Sequence, residues 1–340
     1  MDKSIIGVVF GGKSSEYEVS LASAYAVLEN IDKENYEIQK IGITRDGKWY
    51  LFSGENEKVL NDSWWRDGTT KEIAFDINAG CLLVEGKRLK IHKILPVLHG
   101  EYGEDGRIQS LFEMMEIDYS GCGSSCSFAS MDKDITKKIA QGVGVMCAKG
   151  ITIYKGEVDI EKIHCQIKKI GYPVVVKPSN GGSSVGVSII REKCQIKDAL
   201  DRARKTSEKV IIEKKINGKE IEMAVLFKDG EPYFSTLGEI GYEGELYSYD
   251  EKYKNGKTEY IIPAKISKKA EKKIRKYAKR LLYSLDIRNL CRMDFFVVGG
   301  RVYFNEVNTM PGFTEISMFP KLLINDKIEY KDIINYILNI

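Results

Sequence analysis

Residues 174–190 read Val174-Val175-Val176-Lys177-Pro178-Ser179-Asn180-Gly181-Gly182-Ser183-Ser184-Val185-Gly186-Val187-Ser188-Ile189-Ile190. Three β-branched residues in a row fit a pleated strand. The Gly/Ser run interrupts it, and residues 187–190 resume it. The spacing predicts strand, glycine loop, strand, which is an antiparallel pair rather than a crossover. Glycine lets the backbone approach a ligand closely, so successive N–H groups and the hydroxyls of Ser183 and Ser184 can cradle phosphate oxygens. Lys177, at the end of the first strand, adds a point charge. The loop is not a Walker loop, which needs G-x-x-x-x-G-K-[ST] opening a helix. Taken alone it is either a phosphate cradle or a flexible hairpin loop.

Downstream, residues 210–213 form a further short apolar run, and Glu213 and Glu220 bracket Asn217-Gly218. Either carboxylate can accept from ribose hydroxyls or simply sit at the surface. Over 267–285 a helix is expected. Ser267 caps it, and Ala270, Ile274, Tyr277, Ala278, Leu281, Leu282 and Leu285 make one apolar stripe, with Lys and Arg on the solvated face. Residues 292–298 and 302–308 then read as two strands around Gly299-Gly300, a hairpin signal. They carry Arg292, Asp294, Asn305, Glu306 and Asn308. Two carboxylates and a side-chain carbonyl suit Mg²⁺, a hard cation that commonly bridges to ATP phosphates, and Arg292 can hold a phosphoryl group or an oxyanion. A geometric condition applies. A strict two-residue turn would pair Asp294 with Asn305 and put Glu306 on the opposite face. A three-residue turn or a bulge brings Asp294 and Glu306 to one face. Without that, the pair is a hairpin with solvent-facing charges.

Upstream, residues 5–10 (IIGVVF) are a buried strand running into Gly11-Gly12. Leu21, Ala24, Tyr25, Leu28 and Ile31 recur at helical spacing, and residues 94–98 (ILPVL) are a second strand ending at His99-Gly100. Strand, helix, strand points to an open α/β sheet, which binds ligands at the carboxyl ends of its strands. Glu16 and His99 follow those ends, and Glu104 lies in the glycine-rich stretch beyond His99. Gly11-Gly12 lacks the G-x-G-x-x-G spacing of a dinucleotide fingerprint, which argues against an NAD-dependent dehydrogenase. Around residues 121–131 the sequence turns small and polar, and a domain boundary is expected there.

At 340 residues the chain suits two or three domains. Lys plus Arg number 52 against 49 Asp plus Glu, a net charge of +3, which gives no reason to invoke nucleic acid. No stretch approaches the roughly 20 apolar residues of a membrane span, and the start lacks a secretory signal, so a cytoplasmic protein with no membrane partner is expected. Seven irregularly spaced cysteines without CxxC read as free thiols. Three histidines argue against a zinc site.

The ordered set GGKSSEYEVS (11–20), LHGEYGEDG (98–106), MDK (131–133), VVVKPSNGGSSVG (174–186), IIEK (211–214), RMDFF (292–296) and NEVNTMPGFTEIS (305–317) resembles the D-alanine:D-alanine ligase family of the ATP-grasp superfamily, over nearly the whole chain. The resemblance implies a three-domain α/β fold, α+β in its ATP-grasp part. An open parallel-sheet domain spans 1–122, a central domain 123–216 and a carboxy-terminal domain 217–340, and the two antiparallel-sheet domains clamp ATP. It implies that Lys133, Lys177 and Ser184 contact the phosphates and that Glu213 and Glu220 hold the nucleotide. Asp294, Glu306 and Asn308 would ligate two Mg²⁺ ions, for which Mn²⁺ can substitute. Arg292 and the Gly312 N–H would stabilise a tetrahedral intermediate. Glu16 would hold the first substrate's ammonium, and His99, oriented by Glu104, would border that subsite. Ser183, Tyr253 and Glu16 would tie a mobile loop, 242–260, to the other domains.

Lys252-Tyr253 matches the dipeptide-forming branch. Ser317 and Met318 line the second subsite by motif match. The amino-terminal stretch is similar to ligases that use D-serine, whereas GFTEISMFPKLL is similar to D-alanine enzymes. An apolar Met318 suits a methyl group and offers no hydrogen bond to a serine hydroxyl, so D-alanine ranks above D-serine. Gly181 stands where a glutamate is common in the family. A homodimer through the amino-terminal domain is also implied. The rivals are an ATP-grasp ligase with another acceptor, against which Glu16 and Lys252-Tyr253 speak, and a non-catalytic nucleotide sensor, against which Arg292, Asp294, Glu306 and Asn308 speak.

Overall fold

Ser4–Gly11 (β1) is buried at seven successive positions, which requires cover on both faces of the sheet. The strand has that position. It pairs in parallel with Tyr36–Ile43 (β2) on one side and with Lys93–Pro96 (β7) on the other, while Tyr17–Asn30 (α1) makes the crossover from β1 to β2. The computed structural model describes residues 3–156, 159–241 and 258–338. Lys252, Tyr253 and most of the loop expected at 242–260 lie outside the described residues. Beyond β2 the sheet continues antiparallel through Trp49–Phe52 (β3), Lys71–Asp76 (β4), Cys81–Val84 (β5) and Lys87–Arg88 (β6). The expected parallel α/β sheet is thus a three-stranded parallel core with a four-strand antiparallel extension, and the short helix Glu57–Leu60 (α2) sits in that extension. Helix Arg107–Met114 (α3) follows β7.

Next come two helices, Ser124–Met131 (α4) and Lys133–Gly142 (α5). A four-stranded antiparallel sheet follows, built from Gly150–Ile153 (β8), Val174–Pro178 (β9), Ser188–Ile190 (β10) and Val210–Lys214 (β11) in the order β10-β9-β11-β8. The strand–glycine loop–strand reading holds, with Ser188 opposite Val176 and Ile190 opposite Val174. Helices Ile160–Ile170 (α6) and Ile196–Arg204 (α7) cover this sheet and share its separate core of Ile153, Ile163, Ile167, Val176, Leu200 and Ile212.

The third sheet runs β15-β14-β12-β16-β17, with β13 also pairing β12. Its strands are Lys219–Lys228 (β12), Glu231–Phe234 (β13), Gly238–Gly241 (β14), Glu259–Ile261 (β15), Leu290–Val298 (β16) and Arg301–Asn308 (β17). Helix Lys268–Ser284 (α8) starts where the cap requires, with Ser267 Oγ accepting from the Ala270 N–H at 3.2 Å. Its stripe of Ala270, Ile274, Tyr277, Ala278, Leu281 and Leu282 is buried, each full burial of a Leu or Ile contributing roughly 1.5–3 kcal/mol. Helices α4 and α5 belong to this core, not to that of the four-stranded sheet: Cys126 and Ala140 pack with Met293, Phe295 and Phe304. Helices Met318–Asn325 (α9) and Tyr330–Leu338 (α10) close the chain, and Phe319, Leu322, Ile333 and Ile334 share a core with Phe10, Leu21 and Val27 of the first sheet. The first and third sheets are therefore one packed body, and the four-stranded sheet faces them across a cleft. Among the described residues no helix is long and apolar enough to cross a membrane.

Both conditions posed at Gly299-Gly300 are decided here. Val298 pairs with Arg301 across a strict two-residue turn, and both glycines have positive φ, +53° and +75°, the conformation such a turn demands. The register then slips between Asp294 and Phe295. Phe295 faces Phe304, but Asp294 faces Glu306, and Asn305 is the extra residue of a bulge. The bulge, not the turn, puts Asp294, Glu306 and Asn308 on one face.

Candidate active site

On that face Arg292 lies against Asp294 in a fork, Nε to Oδ1 and Nη2 to Oδ2, both at 2.8 Å. Asn308 Nδ2 donates to Asp294 Oδ2 at 3.1 Å. From the neighbouring β12, Glu222 sits opposite Asp294 in register and brings Oε2 to 3.0 Å from Arg292 Nε. Asp294 and Glu222 are both 2% exposed. Burial works against the guanidinium charge, but Asp294 and then Glu222 overcome it and hold Arg292 firmly protonated. The planar fork is why arginine and not lysine suits this place.

Across the cleft, Asp132 caps α5 by accepting from the Asp134 and Ile135 N–H groups. That cap fixes Lys133 at the first helical position, with its Nζ donating to Gly181 O at 2.7 Å and lying 3.3 Å from Glu306 Oε2. Lys177, one strand away, reaches Glu213 Oε2 at 2.8 Å and Asn305 Oδ1 at 3.4 Å. Glu213 also accepts from Lys137 Nζ. Burial alone would raise the Glu213 carboxyl, but Lys137 and Lys177 prevail and bring it down to about 2. The glycine loop is anchored without the family's glutamate: Lys133 holds the Gly181 carbonyl, and the Ser183 hydroxyl donates to Glu16 Oε1. Ser183 and Ser184 both take positive φ, +47° and +61°.

Glu16 is buried where two backbones close on it. A Cβ on Gly100, whose φ of +70° itself favours glycine, would meet Glu16 Oε2 at 2.5 Å, and one on Gly182 would press on the same atom and push the Glu16 carboxylate aside. His99 is buried, with Nδ1 2.9 Å from Met310 O and Nε2 2.9 Å from Ser23 Oγ. Nδ1 must carry the proton, since a carbonyl only accepts. The Ser23 hydroxyl, which itself accepts from the Phe313 N–H, donates to Nε2. Burial, the leading cause, lowers the imidazole's pKa and favours the neutral ring. The expectation that Glu104 orients His99 is corrected. Glu104 instead turns Oε2 to the Gly100 N–H at 2.8 Å and Oε1 to the Met310 N–H at 3.1 Å, which satisfies both carboxylate oxygens. Burial, then the Glu16 charge, push its carboxyl up to about 8. His99 and Glu104 thus tie the first sheet to the loop carrying Gly312, where a Cβ would lie 2.6 Å from Ser317 Oγ. Ser317 pairs with Thr314 Oγ1 at 2.8 Å. Met318 is buried against Gly238.

Most of these groups, though not the buried Asp294, line two cavities. One holds Glu16, His99, Glu104, Glu222, Arg292, Asn308, Gly312, Ser317 and Met318. The other holds Lys137, Lys177, Ser184, Glu213, Glu220, Phe296 and Phe304. Lys133, Gly181, Gly182, Ser183 and Glu306 line both. An elongated polyanion in the second cavity would therefore present its end to a small molecule in the first. Among the described residues no three His, Cys, Asp or Glu side chains converge as a self-sufficient metal site. Two carboxylates and an amide on one face fit Mg²⁺ nonetheless, because that ion is usually held by one or two carboxylates plus substrate phosphates. In the protein alone each carboxylate meets a cation, Asp294 meeting Arg292 and Glu306 meeting Lys133.

Residues 5–122 match the family model described as D-ala D-ala ligase N-terminus, and residues 139–339 match D-ala D-ala ligase C-terminus. The chain belongs to the D-alanine–D-alanine ligase family. Two relatives, both named D-alanine–D-alanine ligase, come from Acetivibrio thermocellus (42% identical) and Ruminiclostridium cellulolyticum (40% identical). Each alignment covers 100% of this chain and 96% of the relative. Among solved structures, the VanG D-Ala:D-Ser ligase from Enterococcus faecalis superposes with a TM-score of 0.90 at 35% identity, covering 99% of both chains. The D-alanine-D-alanine ligase from Coxiella burnetii superposes at 0.88 and 27% identity, covering 100% of this chain and 94% of that one. The D-alanine–D-alanine ligase family is one of ATP-dependent ligases.

Sequence reasoning missed Glu222, Lys137 and Ser23. The first two had a signal. Glu222 shares a strand face with Glu220 inside an apolar run, and Lys137 lies one helical turn beyond Lys133. Ser23 had none, because its role depends on a loop 290 residues away.

Proposed function

We propose that this chain joins two D-alanines into D-alanyl-D-alanine, driven by ATP, through an acyl-phosphate intermediate. The observation that carries the reading is the sharing of Lys133, Gly181, Gly182, Ser183 and Glu306 between the two cavities, which lets a terminal phosphate meet a carboxylate. Glu16 holds the first D-alanine by its ammonium, and Lys133, Lys177 and Ser184 hold the phosphates, with Glu213 and Glu220 toward the nucleoside. The substrate carboxylate attacks the γ-phosphorus and ADP leaves. The second D-alanine, as the free amine, attacks the acyl carbonyl. Arg292 and the Gly312 N–H stabilise the tetrahedral oxyanion, which collapses with loss of phosphate. Asp294, Glu306 and Asn308 would hold the two Mg²⁺ ions, or Mn²⁺, whose charge offsets that of the phosphoryl oxygens. Positioning carries most of the phosphoryl step. The product is a precursor for peptidoglycan, made in the cytoplasm where ATP is supplied. Dimerisation through the amino-terminal sheet is part of this reading and rests on the family resemblance.

The second reading, D-alanine:D-serine ligation, is favoured by the VanG superposition. Met318 argues for D-alanine, since a thioether gives a serine hydroxyl no hydrogen bond. Incubation with ATP, D-alanine and D-serine together should yield the alanine dipeptide in excess. A dominant D-alanyl-D-serine product would reverse the ranking, and no ATP-dependent dipeptide at all would remove both readings. Met318→Arg should raise kcat/KM for D-serine relative to D-alanine by about tenfold, the size of one gained or lost hydrogen bond to a substrate hydroxyl. An unchanged ratio would detach Met318 from acceptor choice.

A further inference from the structure

Glu213 is 5% exposed and holds two lysines at once, Lys137 on Oε1 and Lys177 on Oε2. Lys177 is also the lysine at the mouth of the glycine loop, 3.4 Å from Asn305, and it lines the nucleotide cavity beside Lys133. A lysine that meets a phosphate oxygen must loosen its grip on Glu213. A buried carboxylate stripped of its partner is costly. The cluster needs a second cation that does not move, and the fold supplies one. Lys137 is 6% exposed, projects from α5 one turn beyond Lys133, and takes the carboxylate oxygen of Glu213 that Lys177 leaves free.

Building on the nucleotide reading above, we propose that Lys137 is a positioning residue: it keeps Glu213 compensated so that Lys177 can be handed from Glu213 to the nucleotide phosphates. Its part is played through Glu213 rather than on the phosphates. The cluster carries two positive charges against one negative, and the surplus positive charge is what the phosphates meet. Without Lys137 the surplus vanishes and ATP must compete with Glu213 for Lys177.

The groups facing Lys137 are Glu213 from β11, Lys177 from β9 and the Cys147 thiol from the segment before β8, with Glu306 of β17 facing Lys177 in turn. Burial, the largest influence, pushes Lys137 down to about 8, against the pull of Glu213. Lys177 is held above its ordinary value: burial lowers it, and Glu213 outweighs that. Glu213 sits near 2, and burial pushes Cys147 up to about 11. Of Lys137, Lys177, Glu213 and Cys147, Lys137 is the one brought to about 8. The sign follows. Below pH 8 the lysine is cationic and the surplus is present, and above it the surplus is lost, so nucleotide affinity falls as pH rises.

The test is equilibrium binding of a non-hydrolysable ATP analogue with Mg²⁺ from pH 6.5 to 9.5, for the wild type, Lys137→Arg, Lys137→Met and Lys177→Met. Wild-type Kd should rise several-fold or more across pH 8, and Lys137→Arg should flatten that rise. At pH 7 Lys137→Met should bind about 10- to 100-fold more weakly, part of the cost of an unpaired buried charge, with the rise gone. Should Lys137→Met fail to fold, the wild type and Lys137→Arg decide the matter by their pH profiles. Identical profiles for those two would overturn the proposal, as would unaltered affinity in Lys137→Met. Absence of nucleotide binding by the wild type would instead overturn the nucleotide reading, and unaltered binding by Lys177→Met would remove the hand-over.

Discussion

Glu306→Gln is expected to cut ATP- and Mg²⁺-dependent phosphate release about 1,000-fold, the loss of several kcal/mol of phosphoryl-oxygen stabilisation. The substitution is isosteric and leaves the hairpin intact, since Glu306 stands on β17 opposite Asp294 and is only partly buried. What it removes is one negative charge at the junction of the two cavities. Two explanations of Glu306 then predict opposite signs. If the carboxylate serves only to balance Lys133 at 3.3 Å, glutamine frees that lysine, and nucleotide binding without metal should tighten or stay level. If it also serves as a hard oxygen ligand, the same variant should bind nucleotide without metal normally, lose the gain in affinity that Mg²⁺ confers, and stop releasing phosphate. We expect the second pattern. Phosphate release at the wild-type rate would exclude Glu306 from the metal set. A uniform loss of nucleotide affinity, with or without Mg²⁺, would show that it acts on the fold of the cleft.

Many of the residues that line this site are legible in the sequence, and the remainder are hidden for definable reasons. The apolar runs at 292–298 and 302–308 around Gly299-Gly300 located both strands and even posed the condition under which Asp294 and Glu306 could meet. They could not choose the bulge at Asn305, because a bulge leaves the polar–apolar pattern on each side intact and only shifts its phase. Helical periodicity found α8 with its cap and stripe. It assigned the lysines of residues 131–140 to no face, since Lys137 and Lys138 are neighbours and only the distant Glu213 makes one of them a buried partner while the other stays at the surface. His99 illustrates the same limit. Its place after a strand end was readable, but its ring is oriented by Met310 and Ser23, residues 211 and 76 positions away. Local sequence reports which groups are available. The pairing of buried charges is a property of the three sheets together.

Arg292→Met should lower kcat about 100- to 1,000-fold, the range for removing one donor to a developing oxyanion, with KM for ATP little altered. It should also destabilise the protein by about 3–5 kcal/mol, because the two carboxylates the guanidinium neutralises stay buried without a counter-charge. These are Glu222 and Asp294, each 2% exposed and opposite one another across β12 and β16. Methionine fills a similar volume, so lost packing is a minor part of the effect. The pH dependence separates charge from packing. With the cation gone, two adjacent buried carboxylates must share one environment, and their pKa values in the folded protein rise. A carboxyl whose folded pKa lies above its unfolded one binds protons on folding, so acid favours the folded variant. In the wild type Arg292 lies against both carboxylates as their counter-charge, so this benefit of acid belongs to the variant. The gap in thermal stability between wild type and variant should therefore be widest above pH 7 and narrow as pH falls toward 5, while the loss of kcat persists at every pH. A gap that stays constant with pH would mean that Arg292 contributes by packing alone. A variant with wild-type kcat would remove Arg292 from the oxyanion's surroundings and leave it the purely structural task of joining β12 to β16.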